Sequence, residues 1–186
     1  MVVTKQERMK TLRATIKEMD AKGVAKLAID LCSLSSDAMD FAEARLQVGE
    51  EPLQSYKARI ETAVFPDPYK KQTLKIKEAR RAIAEYAKAS DSEDGLLDLM
   101  LHFVECGTEF TANYGDINGK FYDSMITMFE RFVEKLVKSS SEVKASFRER
   151  AYGVVNMSGD VGWGYHEALS ALYDQAYPEH DAGLDR

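Results

Sequence analysis

Residues 105–125 read Glu105-Cys-Gly-Thr-Glu-Phe-Thr-Ala-Asn-Tyr-Gly-Asp-Ile-Asn-Gly-Lys-Phe-Tyr-Asp-Ser-Met125 and join two of the longest amphipathic patterns in the chain. Upstream, Leu96, Leu97, Met100, Leu101 and Val104 recur at spacings of three and four. Downstream, Phe121, Met125, Met128, Phe129, Phe132 and Leu136 do the same. Apolar residues at that spacing share one face of an α-helix, and the Tyr114-Gly115-Asp116 step between them is turn chemistry. The stretch therefore predicts two long helices packed antiparallel across a short loop.

The pattern extends in both directions. Thr4 and Glu7 have the spacing of a capping box, so a first helix starts there, with Met9, Leu12, Ile16 and Met19 on one stripe and Gly23 as its expected stop. A short apolar helix over 24–34 follows (Val24, Leu27, Ala28, Leu31, Leu34), then one to about Leu46 closed by Val48-Gly49. Pro52 suits the first turn of a fourth helix, which Pro66-Asp67-Pro68 must break. Further helices are expected from Thr73 to Ala89, from the Asp91-Ser92-Glu93-Asp94 start, from a second capping-box spacing at Ser139 and Glu142, and from Gly162-Trp163-Gly164 to Tyr177-Pro178.

No segment sustains period-two alternation and no fixed repeat emerges. The fold class is all-α: one domain over residues 1–178, an irregular array of about nine antiparallel amphipathic helices, with a flexible tail over 179–186. Leu31, Leu101, Val104, Phe129, Phe132 and Leu169 sit mid-stripe and are the expected core.

A formal charge of −6 argues against a nucleic-acid binder, which presents a net basic face to phosphates. Cys32 and Cys106 both fall in apolar patterns, as free buried thiols do. There is no apolar leader and no run long enough to span a bilayer, so a soluble cytoplasmic protein is expected, without a membrane partner.

The set Gly107-Thr108-Glu109-Phe110-Thr111, Tyr114-Gly115-Asp116, Phe121-Tyr122-Asp123-Ser124-Met125 and Gly162-Trp163-Gly164 resembles a family of small bacterial proteins known only as a domain of unknown function. The likeness runs from about Val24 to Tyr177 and includes Leu27 to Cys32 and Asp40 to Ala44. It implies an all-helical bacterial protein and brings no activity, cofactor or site residue.

On one helix His102, Glu105, Glu109 and Asn113 fall within about 80° of one another, forming a polar ridge beside the apolar stripe. A carboxylate metal site would need matching ligands from facing helices, and no paired Glu-x-x-His motif supplies them, so no metal is assigned. Cys106 among apolar neighbours and Ser124 without a nearby base are poor nucleophiles.

Glu105, Glu109, Tyr114, Asp116, Tyr122, Trp163 and His166 are the candidate pocket residues, because the two glycine-aromatic turns that carry most of them are expected to meet. Ordinary corner packing is the competing explanation. Lys70, Lys71, Lys75, Lys77, Arg80 and Arg81 crowd one helix start; this is either a solvated face or a docking patch for an acidic protein partner. Function divides accordingly. With no strong catalytic motif, a non-enzymatic helical interaction or scaffold protein is favoured. The alternative is a small-molecule or metal-binding protein, in one version a hydrolase, built on the carboxylate and aromatic cluster, with no cofactor specified.

Overall fold

A computed structural model describes residues 4–48, 52–67, 70 and 73–178. Gly49, Pro68, Lys71 and the tail expected over 179–186 lie outside the described residues. Within them are nine helices and no strand: α1 (Lys5–Glu18), α2 (Ala21–Leu34), α3 (Ser36–Leu46), α4 (Pro52–Val64), α5 (Ile76–Ala89), α6 (Glu93–Tyr114), α7 (Gly119–Leu136), α8 (Ser141–Met157) and α9 (Tyr165–Ala176).

The caps follow local chemistry. Thr4 and Glu7 close the capping box at α1, and Ser92 accepts from the Gly95 N–H at the start of α6. Pro52 opens α4. Three boundaries differ from the sequence reading. Gly23 does not stop α1: Asp20 caps α2 and accepts from the Gly23 N–H, placing this glycine inside the first turn of α2. Gln47, in the left-handed region at φ 53°, ends α3. Ser140 caps α8 in place of Ser139, by accepting from the Val143 N–H.

Helix α6 is the centre, and it packs against α4, α5, α7 and α8. Leu97, Leu99, Leu101, Phe103, Val104, Cys106, Thr108 and Phe110 are all buried along it. Two glycines let neighbours approach the α6 backbone. A Cβ on Gly107 would overlap Met125 Sδ of α7, and one on Gly95 would overlap the Tyr86 hydroxyl of α5. Helix α9 packs on α7 and α8, and α3 joins α4 and α5.

The single core is drawn from α3 to α9 and the segment that follows α9. Leu101, Val104, Phe129, Phe132 and Leu169 are fully buried in it. Leu31 is not, at 52% exposed. Helices α1 and α2 contain no buried residue, and α2 packs on α3. The apolar periodicity of residues 9–34 is real but buries no residue fully: Ile16, Met19 and Leu27 are half-buried, and Met9, Leu12, Val24, Leu31 and Leu34 are exposed.

This division predicts opposite responses to the same truncation. In urea denaturation Leu101→Ala should cost about 2–5 kcal/mol, while Leu31→Ala should change stability by less than about 0.5 kcal/mol. A comparable loss at both positions would place α2 in the core.

Candidate functional site

The polar ridge of α6 is met by α8. Arg150 donates from Nε to Glu105 Oε1 at 2.8 Å and from Nη2 to Glu105 Oε2 at 2.7 Å, a two-pronged fork. Its Nη1 donates to Asp98 Oδ1 at 2.5 Å, and Lys57 Nζ of α4 lies 2.6 Å from the other Asp98 oxygen. One turn along, His102 Nδ1 is 3.8 Å from Glu105 Oε2. Burial opposes ionisation of Glu105, but the hydrogen bonds from Arg150 and His102 outweigh it and hold the carboxyl at about 2. That carboxylate is spent on a tie between helices and is no general acid. Burial pushes the Cys106 thiol up to about 12, with Glu61, Glu105 and Glu109 adding to it, so the thiolate is suppressed.

The two turns come together through Tyr122. Its hydroxyl donates to Asp116 Oδ1 at 2.9 Å and sits 2.7 Å from Thr111 Oγ1, while the Trp163 ring stacks on its ring at 6.3 Å between centroids. Beside it Thr108 donates to the Val104 carbonyl, so the Tyr165 hydroxyl at 2.7 Å must donate to Thr108. Trp163 is 64% exposed and holds φ at 65°, a left-handed backbone that costs a non-glycine residue about 1 kcal/mol or more. Its indole lies over Gly119.

The other candidate residues go elsewhere. Tyr114 packs with Phe110 and Phe65. His166 Nδ1 lies 3.0 Å from Ser158 Oγ and 3.2 Å from the Val155 carbonyl, tying α9 to the end of α8. Glu109 is exposed and makes no ion pair among the described residues. Asp116, Tyr122 and Trp163 thus form one corner, and Glu105, Glu109, Tyr114 and His166 lie outside its direct contacts. No group of three or more His, Cys, Asp or Glu side chains is placed to hold a metal among the described residues.

A groove of about 730 Å³ lies between α3, α4 and the start of α5. Arg59 donates to Glu85 at 2.7 Å and lies 3.5 Å from Asp37. Arg81 binds Glu85 at 2.6 Å and Asp37 at 3.4 Å. Burial resists the charge on Glu85, and the hydrogen bonds from Arg59 and Arg81 overcome it and lower its pKa. Three of the five described members of the basic cluster read from the sequence are answered within the chain: Lys75 meets Glu78 at 3.3 Å, Lys70 meets Asp67 at 3.3 Å, and Arg81 is doubly paired. Lys77 and Arg80 are exposed.

The arrangement missed by sequence reasoning is the N-terminal pair of helices. At about 100° per residue, the apolar residues of α2 from Leu34 round through Leu27, Leu31, Val24 and Ala28 to Ile29 cover about 220°. Such an arc belongs to a helix buried on more than one side. Here Val24, Ile29, Leu31 and Leu34 are exposed, and on α1 so are Met9 and Leu12. The signal was present in the breadth of the arc, although breadth alone does not say whether the cover comes from the same chain.

No family model, curated protein or solved structure matches the chain. Functional inference rests on the geometry above.

The Glu105 carboxyl predicts a pH dependence. Its folded pKa of about 2 lies below the ordinary 4.5, so its stabilisation is complete above about pH 4.5 and is lost as pH falls through 2. At neutral pH the shift corresponds to on the order of 3 kcal/mol. Wild type should exceed Glu105→Gln in urea stability at pH 7, and the gap should shrink by about half or more by pH 3. A gap independent of pH would remove the assignment.

Proposed function

We propose that the protein is a non-enzymatic helical interaction protein of the cytoplasm, built to hold another protein against its N-terminal helices. The observation that carries this reading is α1 and α2: two consecutive, regularly capped helices with apolar faces and no buried residue. Contiguous exposed apolar surface on a folded protein marks an interaction site. Helix α3 anchors α2, because α2 packs on α3 and α3 packs on α4 and α5. The basic start of α5 is a weaker docking patch, since Lys70, Lys75 and Arg81 already face carboxylates. No described helix is long and apolar enough to cross a membrane.

The rival is a small-molecule or metal-binding protein, in one version a hydrolase, using the carboxylate and aromatic cluster. It draws less support, because Glu105 is bound to Arg150 and the cluster divides among separate contacts.

Two measurements test the reading. The triple variant Val24→Glu, Leu31→Glu, Leu34→Glu should melt close to wild type, since all three residues are exposed. As bait in extract of its own cells it should lose the partner that wild type retains through gel filtration. Recovery of the same partner by both versions removes the reading. A thermal-shift panel of divalent metals, nucleotides and metabolites addresses the rival, since a ligand at ~100 times its dissociation constant adds ~2.7 kcal/mol. A shift seen with wild type and absent in Glu109→Ala would put the ligand-binding reading first.

A further inference from the structure

We infer that the partner contributes an acidic amphipathic helix, and that it seats along α1 on the stripe of Met9, Leu12 and Ile16. This rests on the interaction reading and specifies the chemistry of its partner.

The spacing of that stripe is three then four, the seam of a two-helix coiled coil, and Met19 follows as the extended C-cap. At about 100° per residue the three members on α1 fall within about 60°, as a seam does and a broad core face does not. Met9 and Leu12 are 42% and 50% exposed and Ile16 is half-buried, so the seam is open over its N-terminal half.

The flanks decide which occupant fits. Arg13 borders the stripe on one side, with Lys17 farther round, and Arg8 borders it on the other, whereas Glu7 and Glu18 lie on the far face, where Glu7 is used by the Thr4 cap. Residues 4–34 hold seven Lys and Arg against four Asp and Glu, and none of the seven makes an ion pair among the described residues. The rest of the chain holds eighteen against twenty-seven.

A second copy of α1 is disfavoured at this seam. A parallel pair would set Arg8 against Arg13 of its mate, and an antiparallel pair would set like against like. A bilayer surface calls for a wide apolar sector with aromatic anchors, and α1 has a narrow one with none. A nucleic acid would bring an extended polyanion against the acidic remainder of the chain. A single helix with apolar seam residues and flanking Glu or Asp buries the stripe and presents its charge to Arg8, Arg13 and Lys17 alone.

The test uses the full chain and designed probes: a labelled three-heptad peptide with Leu at the seam and Glu on both flanks, and its counterpart with Lys on the flanks. Anisotropy should show the Glu peptide binding wild type about tenfold or more tighter than the Lys peptide, with the difference falling as salt rises. The variant Arg8→Glu, Arg13→Glu, Lys17→Glu should invert the preference at an unchanged melting temperature. Equal binding of the two peptides overturns the inference, as does an acidic preference that survives charge reversal. Tighter binding to phosphatidylglycerol vesicles than to the Glu peptide overturns it in favour of a membrane surface. If any of these occurs while partner capture still depends on Val24, Leu31 and Leu34, the broader reading stands and only the α1 seat is lost; if capture fails as well, both fall.

Discussion

The burial of α6 is the constraint on which the rest of the fold depends. Its apolar positions, Leu97, Leu99, Met100, Leu101, Phe103, Val104, Cys106 and Phe110, occupy all but about 140° of its circumference, so neighbours must surround it. Two of its glycines admit Met125 and the Tyr86 hydroxyl where a methyl group would block them. The remaining strip carries Asp98, His102, Glu105 and Glu109, and a half-buried strip of that kind needs compensating charge. Arg150 and Lys57 provide it, and in doing so they fix α8 and α4 relative to α6. Apolar packing sets how closely the helices approach; the guanidinium fork sets where along α6 one of them stops.

Helix α2 poses the same problem with a different solution. Its apolar arc is about as wide as that of α6. Yet α6 is enclosed by four helices, while α2 rests on α3 alone among the helices with substantial contact. Ala44 is the single buried residue of α3, so the connection from the N-terminal helices to the core is thin. A helix with this composition is stable in water only at the expense of exposed apolar surface, and covering that surface releases the cost. On the proposed reading, that surface is one half of an interface.

What was legible in the sequence follows from the range of the interactions involved. Thr4 with Glu7, Ser92 ahead of Gly95, and Pro52 in a first turn act within four residues, and local patterns identify them. Gly23 was misplaced because glycine also fits the first turn of a helix when an aspartate three residues earlier caps it. Leu31 was misassigned because periodicity reports which face is apolar and not what lies opposite. The α6 ridge was readable as a ridge, but its partner Arg150 is 45 residues away from Glu105 and 52 from Asp98. The only local hint was a cation flanked by Phe147 and Ala151 on the buried side of α8. Asp116, Tyr122 and Trp163 could be grouped from their turns; the left-handed backbone at Trp163 could not, since Gly162 and Gly164 on either side are the residues expected to adopt it.

Charge separates the two basic regions more sharply than composition does. The α5 cluster contains more cations per turn, but Glu78, Glu85 and Asp37 answer Lys75 and Arg81 at 2.6–3.4 Å, and an exposed pair so answered has little attraction left for a third charge. Along α1 the cations stand beside apolar side chains and have no carboxylate opposite them within the described residues. An incoming acidic helix there would gain from apolar burial and from charge at once, and the second gain is unopposed by any pair that must first be broken. On the proposed reading, free energy for association would be concentrated in the helices that contribute least to the core, which would let the α3–α9 body keep its stability whether or not α1 and α2 are occupied.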